Sequence, residues 1–136
     1  MYAVDFHTHS IASPDGALTL DEYKQMLTTG KLDYVAITDH NTISFALQAK
    51  EKLGKLADRI IIGEEISSQA GDIIGLYLTE GIPGGLTLQE TVREIRRQGG
   101  LVYVPHPFET LRKGISLDDL ETIAGKVDII EGHNGR

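Results

Sequence analysis

Tyr2-Ala3-Val4-Asp5-Phe6-His7-Thr8-His9 opens the chain, and the histidine pair at its end decides what kind of fold to expect. Tyr2–Phe6 reads as a short buried strand. Alternate side chains of a strand share a face, so His7 and His9 leave its end side by side. Neutral imidazole is the commonest metal ligand in proteins, and an H-x-H pair at a strand end makes a two-point clamp. Two hydrogen-bonding histidines are the plainer alternative. A second signal of the same kind, Thr38-Asp39-His40, closes another apolar run. Together they point to a metal site built on strand ends.

Outward from that stretch, apolar runs alternate with helical patterns. Strands are expected at Tyr2–Phe6, Tyr34–Thr38, Ile60–Gly63, Ile73–Leu78, Leu101–Val104 and Val127–Ile130, and helices at about Leu20–Thr28, Ser44–Leu56, Leu88–Gln98 and Leu117–Ile123. Thr19 with Glu22, Thr87 with Glu90 and Ser116 with Asp119 are capping signatures at three helix starts. Gly30 and Gly99-Gly100 are the matching stops. Near-continuous apolar strands separated by helices argue a mostly parallel α/β sheet covered by helices. Two strand candidates follow each other between Ile60 and Leu78 and break strict alternation. A barrel and an open doubly wound sheet both fit this pattern.

The chain has 136 residues, 40% of them hydrophobic, which suits one domain with a real core. It contains no cysteine, so disulfides and thiolate ligands are excluded. No apolar stretch is long enough to span a bilayer, and a cytoplasmic location is expected. The net charge of −7, without a Lys/Arg cluster, disfavours extended nucleic-acid binding. One phosphate group at a metal centre remains compatible with it, because bound ions supply local positive charge.

Polar residues gather just after the strands, where α/β proteins place their sites: His7 and His9, Asp39 and His40, Glu64 and Glu65, His106, then Glu131 to Asn134. Asp39 either orients a neighbouring ligand or caps a turn. Of Glu64 and Glu65, neighbours on a strand, only one should face the site. Asp15, in Ser13-Pro14-Asp15-Gly16, is a turn residue or an oxygen ligand; Asp72, after Gly71, is open in the same way. His106 is held between Pro105 and Pro107, which restrict its backbone. Asn134 and Arg136 would lie near the site, with Arg136 offering a fork of donors to phosphate. Imidazole and carboxylate together suit Zn, Mn or Fe.

In this order, Asp5-Phe6-His7-Thr8-His9-Ser10, Ser13-Pro14-Asp15-Gly16, Ala36-Ile37-Thr38-Asp39-His40-Asn41, Gly63-Glu64-Glu65-Ile66-Ser67, Gly99-Gly100 to His106-Pro107, and Asp128-Ile129-Ile130-Glu131 to Asn134-Gly135-Arg136 resemble the PHP (polymerase and histidinol phosphatase) domain of metal-dependent phosphoesterases. The resemblance covers essentially the whole chain, residues 1–136. It implies a distorted (β/α)7 TIM-like barrel with two or three divalent ions at the C-terminal strand ends. By position, His7 and His9 would bind one ion. Glu65 would be the bridging carboxylate and Glu64 would point away. Asp15 and His40 would serve another ion and His106 the remaining one. Glu65 and His40 are the expected catalytic residues, and Asn134 and Arg136 the substrate-facing ones.

Two departures stand out. Many relatives have His where Asp72 stands, so Asp72 is the candidate oxygen ligand there. Relatives also continue to an Asp-x-His motif, whereas this chain stops at Arg136. The expectation is therefore a PHP barrel shortened at its C-terminal end, with an open sheet edge that favours self-association.

The function implied is hydrolysis of a small phosphorylated metabolite or nucleotide through metal-activated water. The alternative is a catalytically impaired PHP-like module with a structural or partner-binding role. Amidohydrolase barrels also carry H-x-H after the first strand, but they typically use a bridging Lys, and no Lys stands at a strand end here.

Overall fold

Alternation along the strands sorts their residues onto two faces, and packing follows that sorting. A computed structural model describes residues 1–132. His133, Asn134 and Arg136 lie outside the described residues, and with them the expected substrate-facing pair. The elements run β1 (Val4–Thr8), α1 (Leu20–Thr28), β2 (Tyr34–Ile37), α2 (Ser44–Lys52), β3 (Ile60–Ser68), β4 (Gly71–Leu76), α3 (Leu88–Arg97), β5 (Leu101–Val104), α4 (Leu117–Ile123) and β6 (Ile129–Ile130). The strands form one curled half-barrel sheet in sequence order, β1 to β6. β1–β2, β2–β3 and β5–β6 pair in parallel; β4 runs against both its neighbours. The α/β class and the sheet with one break in alternation match expectation. Closure into seven β/α units is not present among the described residues.

Val35 and Ile37 of β2 and Ile60 of β3 pack with Tyr23 and Leu27 of α1 and Ala46 and Ala49 of α2. Ile66, Ile73, Val102 and Val104 pack under α3 and α4. The intervening residues, Ala36, Ile61, Ile74, Leu76 and Tyr103, form a separate cluster on the other, inner face, with Val4 and Phe6 packed against it. That inner face carries the site. Burying each large apolar side chain stabilises the fold by roughly 1.5–3 kcal/mol relative to exposure, which offsets the entropy of ordering the chain.

The capping signatures form as read. Thr19 accepts from the Glu22 backbone and Glu22 reaches back to the Thr19 N–H, a complete capping box. Thr87 and Ser116 accept from the Glu90 and Asp119 N–H groups. Gly30 and Gly99 stop their helices at φ of +77° and +76°, a conformation glycine adopts without steric cost.

Several boundaries differ from expectation. β1 begins at Val4 and includes His7 and Thr8; Tyr2 stays exposed. α2 ends at Lys52, because Leu53-Gly54 turns the chain into a 3-10 segment, Gly54–Arg59. β3 does not stop at Gly63 but continues to Ser68, because β4 pairs with it from Gly63↔Leu76 to Ser68↔Gly71. β4 begins at Gly71 and ends at Leu76, so Asp72 lies within the strand rather than before it. Glu64 and Glu65 are likewise inside a strand, not beyond its end. No helix among the described residues is long and apolar enough to cross a membrane.

Candidate metal centre

Strand parity brings the ligating side chains to one place. Glu65 pairs with Ile74 and Ser67 with Asp72, so Glu65 and Asp72 share the inner face with Ile74's cluster. Glu64 pairs with Gly75 and points the other way. It is buried, and its Oε1 accepts the Ile82 N–H at 2.8 Å.

A bulge in β1 completes the set. Asp5 pairs with Val35 and Thr8 with Ile37, so β1 spends one more residue than β2 over this interval. Phe6 faces inward against Tyr103, with ring centroids 6.5 Å apart. Without the extra residue His7 would face the helices. The bulge lets His7 also face Tyr103, at 6.2 Å, while Thr8 turns outward to Tyr23 Oη at 2.8 Å. Bulges re-aim side chains in this way next to functional sites.

Four imidazoles converge on Glu65. Its Oε1 lies 3.1 Å from His7 Nε2, 2.9 Å from His9 Nε2 and 3.7 Å from His40 Nε2. Its Oε2 lies 2.9 Å from His106 Nε2. His40 Nε2 is also 3.1 Å from Asp15 Oδ2, placing Asp15 at the outer side of the cluster. His7 and His9 present their Nε2 atoms 3.2 Å apart, and the His9 and His40 rings stack at 4.5 Å. His7, His9, His40, Glu65, Asp15 and His106 are thus brought together. Asp72 lines the same cavity, and its buried Oδ1 has no hydrogen-bond partner among the described residues.

Glu131 is a site residue that sequence reasoning did not assign. Its Oε1 lies 2.7 Å from His7 Nδ1 and accepts from Tyr103 Oη at 3.0 Å; its Oε2 accepts the His106 N–H at 2.7 Å. Its position directly after β6 was the available signal. Asp39 acts as an orienting acceptor: it takes Ser10 N–H (2.7 Å), Ser10 Oγ–H (2.6 Å) and Ser13 Oγ–H (2.8 Å). Ser13 Oγ in turn accepts the His40 N–H at 3.0 Å. One buried carboxylate so ties the loop bearing Asp15 to the strand end bearing His40.

The donor set fits divalent ions. With a proton on Nδ1 directed at Glu131, His7 offers the lone pair of Nε2 toward Glu65 and His9, the usual carboxylate–imidazole arrangement of metal ligands. Bare nitrogens facing each other and a carboxylate at about 3 Å repel unless a proton or a cation lies between them. The electrostatics agree. Burial lowers the His7 pKa, but Glu65 and Glu131 more than reverse this and leave it raised. Burial would raise Glu65, yet His106, His7 and His9 together hold it well below the usual carboxylate range. Burial first, then the Glu65 charge, pushes Asp72 up to about 6. Among the described residues, two groups have ligand atoms close enough to hold an ion: His7, Glu65 and His106, and His9, His40 and Glu65. They share Glu65.

Glu64 sets a pH dependence of its own. Burial raises its pKa from 4.5 to about 7. The fold favours the neutral form, so this contribution is full below about pH 4.5 and is lost as pH rises through 7. Glu64→Gln keeps an acceptor for the Ile82 N–H. The variant is expected to be more stable than the parent at pH 8, by up to about 3 kcal/mol, with the gap closing below pH 5. Thermal melts across that range read it; parallel pH profiles for the two proteins contradict it.

Comparison with known proteins agrees with this geometry. The model of the PHP domain matches residues 5–127. An uncharacterised protein of Methanocaldococcus jannaschii is 36% identical over 121 residues, covering 82% of this chain and 71% of its own. A second from the same organism is 41% identical over 115 residues, and the chain spans only 41% of its length. Among solved structures, a two-domain protein from Bacteroides vulgatus containing a predicted PHP-like metal-dependent phosphoesterase superposes with TM-score 0.75 at 21% identity, over 95% of this chain and 43% of that one. A Bifidobacterium adolescentis protein, to which metal-dependent phosphoesterase activity is ascribed, gives 0.73 at 14% identity, over 96% and 77%. An amidohydrolase from Chromobacterium violaceum, with bound sulfate and no metal, gives 0.66 at 18%, over 93% and 75%. With ordered motifs, fold and family model in agreement, the chain belongs to the PHP domain family.

Proposed function

We propose that this chain is the metal-holding part of a phosphoesterase acting on a small phosphorylated metabolite or nucleotide. The observation that carries the reading is the pair of three-residue ligand groups joined by Glu65. Two or three ions of Zn, Mn or Fe, once bound, would supply Lewis acidity at a phosphoryl oxygen and a lowered pKa for water. The chain's residues do the rest. Glu65 holds both groups together, His40 and Asp15 serve the outer side, and His7 and His106 the inner side. Glu131 fixes the His7 tautomer, and Asp39 keeps the His40 backbone in register. Glu65 and His40 are the proposed catalytic residues.

The test is to load the purified chain with Mn, Zn or Fe, measure bound metal, and assay p-nitrophenyl phosphate. Metal-dependent hydrolysis that a chelator abolishes, with a raised melting temperature in metal, is expected. Absence of both hydrolysis and thermal shift favours the impaired module. Cleavage of amide or lactone substrates with none of phosphate esters favours the amidohydrolase reading.

A further inference from the structure

The wall facing the imidazoles is basic. Arg112 and Lys113 line a cavity of about 220 Å3 together with His40, Glu65, Asp72 and His106. Among the described residues, every other ionisable group lining that cavity is an acid or a histidine. The segment is fastened in place: Lys113 O accepts the Asp72 N–H at 2.8 Å, and Phe108 N–H donates to Ile115 O at 2.9 Å. His106, Phe108 and Lys113 all adopt positive φ, +27°, +68° and +54°. Non-glycine residues keep such conformations only where the surroundings impose them.

Arg112 is oriented rather than loose. Its Nε and Nη2 donate to Glu109, in the same turn. Its Nη1 is buried and has no hydrogen-bond partner among the described residues. A buried guanidinium donor left unpaired is unfavourable, and the side chain that carries it also lines the cavity. Guanidinium matches the geometry of phosphate, and a neighbouring ammonium adds a point charge.

We propose that Arg112 and Lys113 are the phosphate-holding pair of this site and select a terminal phosphate monoester over a diester. The inference rests on the proposed function and narrows its substrate class. A monoester carries close to two negative charges at neutral pH, its second pKa being about 6, whereas a diester carries one; two cations suit the former. The cavity is also smaller than the roughly 300–1,000 Å3 that encloses a whole ligand. It accommodates a phosphate and the first atoms of the leaving group, with the rest outside.

The test compares the parent with Arg112→Met and Lys113→Asn; Asn tolerates the left-handed backbone at position 113. Three readouts are taken: bound metal, inhibition by inorganic phosphate, and KM for p-nitrophenyl phosphate against bis-p-nitrophenyl phosphate. Unchanged metal content is expected, with phosphate inhibition and monoester KM weakened roughly ten- to hundredfold and the diester KM moved far less. Parent-like phosphate inhibition and KM in both variants overturn the inference and leave the proposed function standing. Equal losses on monoester and diester overturn the selectivity. A metal-loaded parent that hydrolyses no phosphate ester sinks the proposed function instead; phosphate binding by calorimetry then decides this inference alone, and identical binding by parent and variants ends it.

Discussion

Glu65→Gln is expected to strip the protein of metal. Both carboxylate oxygens are engaged, Oε1 among His7, His9 and His40 and Oε2 by His106. The amide has no charge, and it puts an NH2 donor where an acceptor stood. Even removing an outer partner of a ligand typically costs roughly 10–100-fold in metal affinity; losing the carboxylate common to both groups should cost more. Elemental analysis after dialysis measures this. Glu64→Gln, one residue away on the opposite face, should retain its metal. Equal metal content in Glu65→Gln and the parent, or loss in Glu64→Gln alone, would falsify the parity assignment.

Asp39→Ala carries the largest expected effect on stability. The carboxylate is 1% exposed and accepts three hydrogen bonds from Ser10 and Ser13. Removing it leaves three donors buried without a partner, each worth about 1–3 kcal/mol. A loss of about 3–5 kcal/mol is expected, a large share of the roughly 5–15 kcal/mol that holds a typical domain together. Urea unfolding of the metal-free protein isolates this from ligand loss. Asp39→Asn, which keeps part of the acceptor set, should lose less. A midpoint for Asp39→Ala within error of the parent would mean that water or a rearranged loop replaces the carboxylate.

The gathering of His7, His9, His40, His106 and one of the two glutamates was legible because it depends on local rules, period-2 alternation and polar residues at the ends of apolar runs, whereas the choice of Glu65 over Glu64 came from the resemblance to the PHP domain. Helix starts were legible for the same reason, since Thr19, Thr87 and Ser116 act within four residues of sequence. The extent of β3 was not. Two adjacent glutamates after a glycine read as the end of a strand, and only pairing with β4 across the hairpin keeps them in one. The bulge in β1 was hidden too, because register is a property of a pair of strands. Glu131 escaped because its role is to bind two histidines that lie 124 and 25 residues away. Gly54 is a different matter: its place inside the expected Ser44–Leu56 helix was a visible stop signal.

The reversed strand β4 has a consequence for how such a fold can diversify. Ser67 and Asp72, facing each other across the β3–β4 hairpin, both line the cavity, so the tip at Gln69 and Ala70 lies beside its mouth. Residues added there would build a new canopy over the cavity while the ladder anchoring Glu65 kept its alignment. Access to the cavity and the geometry of the histidine–glutamate cluster would thereby fall under separate mutational control.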